Sequence, residues 1–200
     1  NQGTFALLET PEDGLSDQPY IIEVRGFRGF LTTRFHADIK EWRWTGLFYY
    51  PDLDFKSVKV ETPRDKEFGF SVDVIDRFSG EFLVKDHEGN EIEKSKPAIA
   101  AFLGNFKQIN VEHFNLNITP AQEDSILNTP PAFRISVTDK TNEVKSADIY
   151  FRKPPPALAE RMGARTPEFD PERVFVYFDG DLAYGQRLTF DKILYTIKDF

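Results

Sequence analysis

The chain has no cysteine and a single methionine among its 200 residues. Without thiols it can form no disulfide, thiolate nucleophile or cysteine-ligated zinc or iron–sulfur site, and its redox compartment is not readable. No run of about 18 apolar residues occurs, so no segment has the makeup of a membrane-spanning helix. Histidine is scarce. His36, His87 and His113 lie far apart without an H-x-H or H-x-x-x-H spacing, so a metal site would need the fold to converge them. The G-x-S-x-G turn of serine hydrolases, the G-x-G-x-x-G loop and the Walker lysine loop are all missing. Enzyme readings thereby lose their usual footholds, and a non-enzyme without cofactors is expected. Cations are also in deficit, with 25 Lys and Arg against 33 Asp and Glu. The net charge of −8 argues against nucleic acid or anionic lipid as partner, because phosphate binding requires a local excess of Lys and Arg.

Phenylalanine is abundant, at 20 residues, and rings of that size can fill a sizeable core. The dominant pattern occurs twice: three alternating strands followed by a helix-spaced apolar stripe. In the first copy the stripe is Ile99, Phe102, Leu103 and Phe106; in the second it is Phe190, Ile193, Leu194 and Ile197. Both fall at i, i+3, i+4, i+7, which puts four side chains on one face of a helix.

Residues 1–19 are polar, are punctuated by Pro11, Gly14 and Pro19, and read as a flexible leading segment. From residue 20 to 200 a single α+β domain is expected. Tyr20 to Val24 and Phe30 to Phe35 predict an N-terminal β-hairpin around Gly26 and Gly29. An aromatic stretch follows, with Trp42, Trp44, Phe48, Tyr49, Tyr50 and Phe55.

The first pseudo-repeat spans about 56–114, with strands near 57–61, 68–74 and 81–85. Phe68, Phe70, Val72 and Val74 alternate with small or polar residues, the signature of a sheet with one wet face. Ser95 and Pro97 mark the start of its helix. A short capped helix near 119–128 joins the repeats, Thr119 beginning it and Gln or Glu closing the box. The second pseudo-repeat spans about 132–200, with strands near 133–139, 145–152 and 173–179, a turn at Asp139 to Asn142, and a final helix from about Thr189 to the end. Val58 and Val60 align with Ile135 and Val137, and Phe70 and Val72 with Ile149 and Phe151. The fold class expected is α+β, two βββα pseudo-repeats with a mainly antiparallel sheet plus the hairpin.

The stretches Gly26 to Phe35, Glu41-Trp42-Arg43, Ser57 to Glu61, Phe175 to Phe178 through Gln186, and Phe190 to Leu194 resemble the DUF4340 proteins of Bacteroidetes. The resemblance covers residues 20 to 200 and carries no chemically diagnostic motif. It implies a duplicated βββα architecture in a periplasmic or cell-envelope protein, lipid- or membrane-anchored, and accessory to a transport or motility complex. A chain that starts at Asn1 fits that picture, with the anchor supplied by a segment upstream. Gly185 is a departure, standing where typical members carry an aliphatic residue.

Three acidic pairs, Asp52 with Asp54, Asp73 with Asp76 and Asp179 with Asp181, flank turns, where Asp serves its own backbone. Two features carry binding instead. Trp42, Trp44 and Tyr49 offer an aromatic platform for a partner or a glycan, against the alternative that these rings seal the hairpin onto the first repeat. The long loop from Lys153 to Pro171, with Arg161 and Arg165, offers a proline-stiffened interaction element. The function expected is a non-catalytic protein-interaction module docking another cell-envelope protein, with small-ligand or glycan binding through residues 42–55 as the alternative.

Overall fold

A computed structural model describes residues 4–26, 29–31, 38–114 and 116–200. The chain divides into two compact units, residues 1–43 and 44–200. In the first unit, β1 (Thr4–Ala6) pairs antiparallel with β4 (Tyr20–Ile22), Phe5 opposite Ile21. Between them β2 (Glu9–Thr10) and β3 (Gly14–Leu15) form a hairpin. Gly14 sits at φ +70°, a turn conformation that favours glycine. Leu31 donates its backbone N–H to the Thr4 hydroxyl, and both residues are buried. The leading segment thus carries three short strands, and Tyr20–Ile22 takes its partner from Thr4–Ala6. The compact boundary consequently falls after Arg43 rather than at residue 20. The hairpin strand expected at Phe30 to Phe35 lies largely outside the described residues.

The second unit opens with β5 (Gly46–Phe48), followed by β6 (Phe55–Glu61), β7 (Phe70–Asp76), β8 (Glu81–Asp86) and β9 (Glu91–Ile92). Helix α1 (Lys96–Gly104), β10 (Ile109–Asn110) and helix α2 (Pro120–Leu127) lead to β11 (Phe133–Asp139) and β12 (Val144–Phe151). Helix α3 (Pro156–Met162), β13 (Arg173–Phe178), β14 (Asp181–Gln186) and the single turn α4 (Arg187–Phe190) complete it.

Eight strands form one antiparallel sheet in the order β14-β13-β12-β11-β6-β7-β8-β9. The α+β class and the mainly antiparallel sheet follow from this arrangement. The two repeats meet at its centre, where Val60 faces Ile135 and Val58 faces Val137 around a local twofold. Within each repeat, Val58 faces Val72 and Ile135 faces Ala147. Val72 therefore corresponds to Ala147, four residues from the Phe151 that the sequence alignment pairs with it. An even shift keeps the same face inward, so the alternation could not detect it.

One face buries Ile99, Phe102 and Leu103 of α1 together with Phe106 of the 3-10 turn Asn105–Lys107 that follows it. Phe102 meets Phe70, Phe106, Tyr195 and Phe200 at ring distances of 5.1–5.5 Å. The opposite face of β12–β14 carries a second cluster, Tyr150, Phe175 and Leu182, covered by Leu116, Ile118, Ile126 and Leu127 from the connection containing α2. That connection holds a complete capping box between Thr119 and Gln122, which explains a helix with no fully buried side chain.

The second stripe is buried, Phe190 and Ile193 fully, but the expected helix stops after Phe190. Thr196 is extended (φ −110°, ψ 167°) and starts a new capping box with Asp199, so the chain restarts as a 3-10 turn over Ile197–Asp199. Helical spacing here reports which side chains are buried, and the backbone reaches that burial by turns. At Gly185 all of β14 pairs with β13, Gly185 lying opposite Val174. The buried ring of Phe190 occupies the room an aliphatic side chain would need, since a Cβ on Gly185 would come 2.5 Å from its Cε2.

Candidate functional site

The aromatic stretch 42–55 splits between core and surface. Leu47, Phe48 and Phe55 are buried, whereas Trp44 is 64% and Tyr49 53% exposed. Sealing therefore accounts for only part of this stretch. Trp42 is 61% exposed and belongs to the first unit.

Backbone pairing positions the exposed rings. β5 is held by β10, Phe48 lying opposite Ile109, while Val111 donates its N–H to Thr45 O at 2.9 Å and Tyr50 donates to Lys107 O at 3.1 Å. The Trp44 indole folds back over Gly46, where a Cβ would lie 2.2 Å from indole Cζ2. Tyr49 meets Trp44 edge-on, with ring centroids 6.0 Å apart and planes at 82°. Lys145 Nζ stands 5.9 Å from the indole centre and 3.9 Å from Asp179 Oδ2.

A cleft of about 230 Å³ opens here, lined by Trp44, Leu47, Tyr49, Tyr50, Asp139, Glu143 and Lys145. Burial, with the charges of Asp139 and Glu143, raises the Tyr50 phenol above its ordinary pKa, so it stays a neutral hydroxyl donor. Asp139 is held below the usual carboxylate range, first by the Thr141 hydroxyl, and Oδ1 also accepts the N–H groups of Thr141 and Glu143. The corner thus combines two perpendicular aromatic rings with carboxylates, an ammonium and a phenol. Such a surface can take an apolar group against the rings while hydrogen-bonding a polar rim.

The loop after Lys153 is clasped at its base. Asp170, 3% exposed, lies 3.1 Å from Arg152 Nε and donates its own N–H to Arg152 O at 2.8 Å. Pro154, Pro155 and Pro156 lead into α3, and the Thr166 hydroxyl closes its end onto Gly163 O at 2.6 Å. Arg161 and Arg165 are exposed and have no ion pair among the described residues. This loop leaves β12 from its Phe151 end, whereas the Trp44 corner lies at the Lys145 end, about 20 Å away along the strand. The structure joins Trp44 with Tyr49 and separates both from Arg161 and Arg165.

The remaining candidates disperse. Asp54 pairs with Lys140, Asp73 with Lys85, and Asp76 accepts from Phe78 N and Ser79 Oγ in its own turn. His87 sits in the β8–β9 turn, His113 packs on Tyr184 at 5.3 Å, and His36 lies outside the described residues. Among the described residues no group of three His, Asp or Glu forms a metal cluster. Asp139, Glu143 and Lys145 were not singled out as site residues by the sequence, because their approach to Trp44 depends on the β6–β11 pairing, in which Asp139 lies opposite Phe55. Comparison with family models, with characterised proteins and with solved structures finds no match.

Proposed function

We propose that this chain is a non-catalytic binding module that docks a partner protein through the Trp44–Tyr49 corner. The observation that carries this reading is an exposed tryptophan whose indole lies over Gly46, in the room a Cβ there would need. Tryptophan and tyrosine supply contact area at little cost in conformational freedom and are enriched among the residues that dominate protein interfaces. Asp54, Asp73, Asp76 and Asp179 each go to a separate partner, which supports a role without acid–base chemistry. The DUF4340 resemblance supports a cell-envelope setting beside a transport or motility complex. Crosslinking of the chain to envelope proteins, with a Trp44→Ala variant alongside, tests the reading. A defined partner captured by the parent chain and lost in the variant supports it, and equal capture by both rejects it.

The same corner favours a second reading, glycan binding, through one specific feature. The Tyr50 hydroxyl, Asp139 and Glu143 line the cleft below two perpendicular rings, a set that can bond sugar hydroxyls while a ring stacks on the pyranose face. Indole fluorescence in a Trp42→Phe background isolates Trp44, and a glycan panel that leaves its emission unchanged would remove this alternative.

A further inference from the structure

A groove of about 580 Å³ lies at the other end of β12, between α2 and the turn Pro154–Pro156. Gln122, Ser125 and Ile126 of α2 form one wall and the three prolines the other, above Tyr150, Phe175 and Tyr184. Both walls are preorganised. Proline fixes φ along one, and the Thr119–Gln122 capping box holds the start of the other. The size falls in the range of small-molecule sites, roughly 300–1,000 Å³.

The charge of the lining is unlike that of the chain. Arg64, Arg152 and Lys153 line the groove and no Asp or Glu does, in a protein of net charge −8. Arg152 is fixed in place. Asp170 holds its Nε, and its guanidinium lies over Tyr184 at 4.9 Å and Phe175 at 5.6 Å, rings that stack on each other at 21°. Arg64 donates Nε to Pro130 O at 3.2 Å, and neither it nor Lys153 has a carboxylate partner among the described residues. Two cations without counter-ions thus border a surface built of Ile118, Ile126, prolines and aromatic rings.

We propose that this groove binds a small organic anion with a flat apolar body, an aromatic carboxylate by chemical class. The carboxylate meets Lys153 and Arg64, and the ring lies between Ile126 and the proline wall above Tyr184. A bare inorganic anion would leave that apolar lining unused. Nucleic acid would need more cations than three. The site is separate from the Trp44 corner and does not depend on it.

The test is calorimetric titration at low ionic strength with 2-naphthoate, against uncharged 2-naphthalenemethanol as a shape match. Lys153→Glu and Arg64→Glu, both surface changes, are compared with the parent chain and with Trp44→Ala. The expected result is naphthoate binding weakened about tenfold by each reversal. Melting temperatures should stay the same, the alcohol should bind weakly and ignore both reversals, and Trp44→Ala should bind as the parent does. No naphthoate binding to the parent, binding indifferent to both reversals, or an equal loss in Trp44→Ala would each overturn the proposal. An oligoglutamate peptide that binds more tightly, displaces naphthoate and shows the same losses would replace the small anion by an acidic peptide. This outcome is distinguishable from failure of the partner-docking reading, which Trp44→Ala alone addresses.

Discussion

The indole of Trp44 occupies the space that a side chain on Gly46 would need, its Cζ2 only 2.2 Å from the position of that absent Cβ. A surface ring is thereby seated with no cost in buried polar groups. Gly46→Ala should unseat it while leaving the core largely intact, because the indole is exposed and can swing outward. In a Trp42→Phe background, the near-ultraviolet dichroism of Trp44 should collapse with little change in melting temperature. An unchanged indole signal would show that the seat does not hold the ring.

Gly185 should resist an aliphatic side chain. A Cβ there would lie 2.5 Å from Phe190 Cε2 and 2.9 Å from Val176 Cγ2, in a fully buried part of the sheet. Gly185→Leu is expected to destabilise by about 1–3 kcal/mol or more through overpacking. Denaturant unfolding measures this, and a midpoint equal to that of the parent would contradict the placement of Phe190.

Glu112 and Arg173 form a two-bond pair, Arg173 Nε donating to Oε2 at 2.7 Å and Nη2 to Oε1 at 2.8 Å. The guanidinium holds the Glu112 carboxyl below its ordinary value of 4.5, and the carboxylate in turn raises the arginine. A carboxyl depressed in the folded state stabilises above its unfolded pKa and loses that contribution as pH falls through the folded value. Glu112→Gln should therefore be less stable than the parent by about 1 kcal/mol at pH 7, since both groups are partly screened by solvent. The difference should close towards pH 3. Parallel stability curves across that range would exclude this pair as a source of acid sensitivity.

Asp170 clasps the long loop to the sheet. Its Oδ1 accepts the N–H groups of Glu172 at 2.8 Å and Arg173 at 3.3 Å, and Oδ2 faces Arg152. Asp170→Ala strands a half-buried guanidinium and should cost about 3 kcal/mol. Amide exchange should quicken across residues 153–169, while Asp170→Asn, which keeps an accepting oxygen, should lose less. Equal protection in all three proteins would mean that the loop holds its shape without the clasp.

Much of the second unit was legible because the signals were local. Alternation marked six of the eight strands of the sheet, and Thr119 with Gln122 marked α2. Of the first unit's strands, Tyr20–Ile22 fell within a strand read from the sequence, whereas β1, β2 and β3 escaped because segments of two or three residues carry no period. Helix α3 escaped because three prolines masked its start. Among the site residues, Trp44 and Tyr49 stood out by type, whereas Asp139, Glu143 and Lys145 read only as an ordinary hairpin.

Residue order alone committed this chain to alternating strands, two buried stripes and a capped connector, since each depends on neighbours within a few positions. It also excluded thiol chemistry outright. Which aromatic rings were buried was a long-range matter. Phe48 entered the core and Trp44 stayed outside through the β5–β10 pairing and the meeting of β6 with β11, contacts between segments 60 to 80 residues apart. Burial depends on what the fold brings against a side chain, and no local pattern contains that partner.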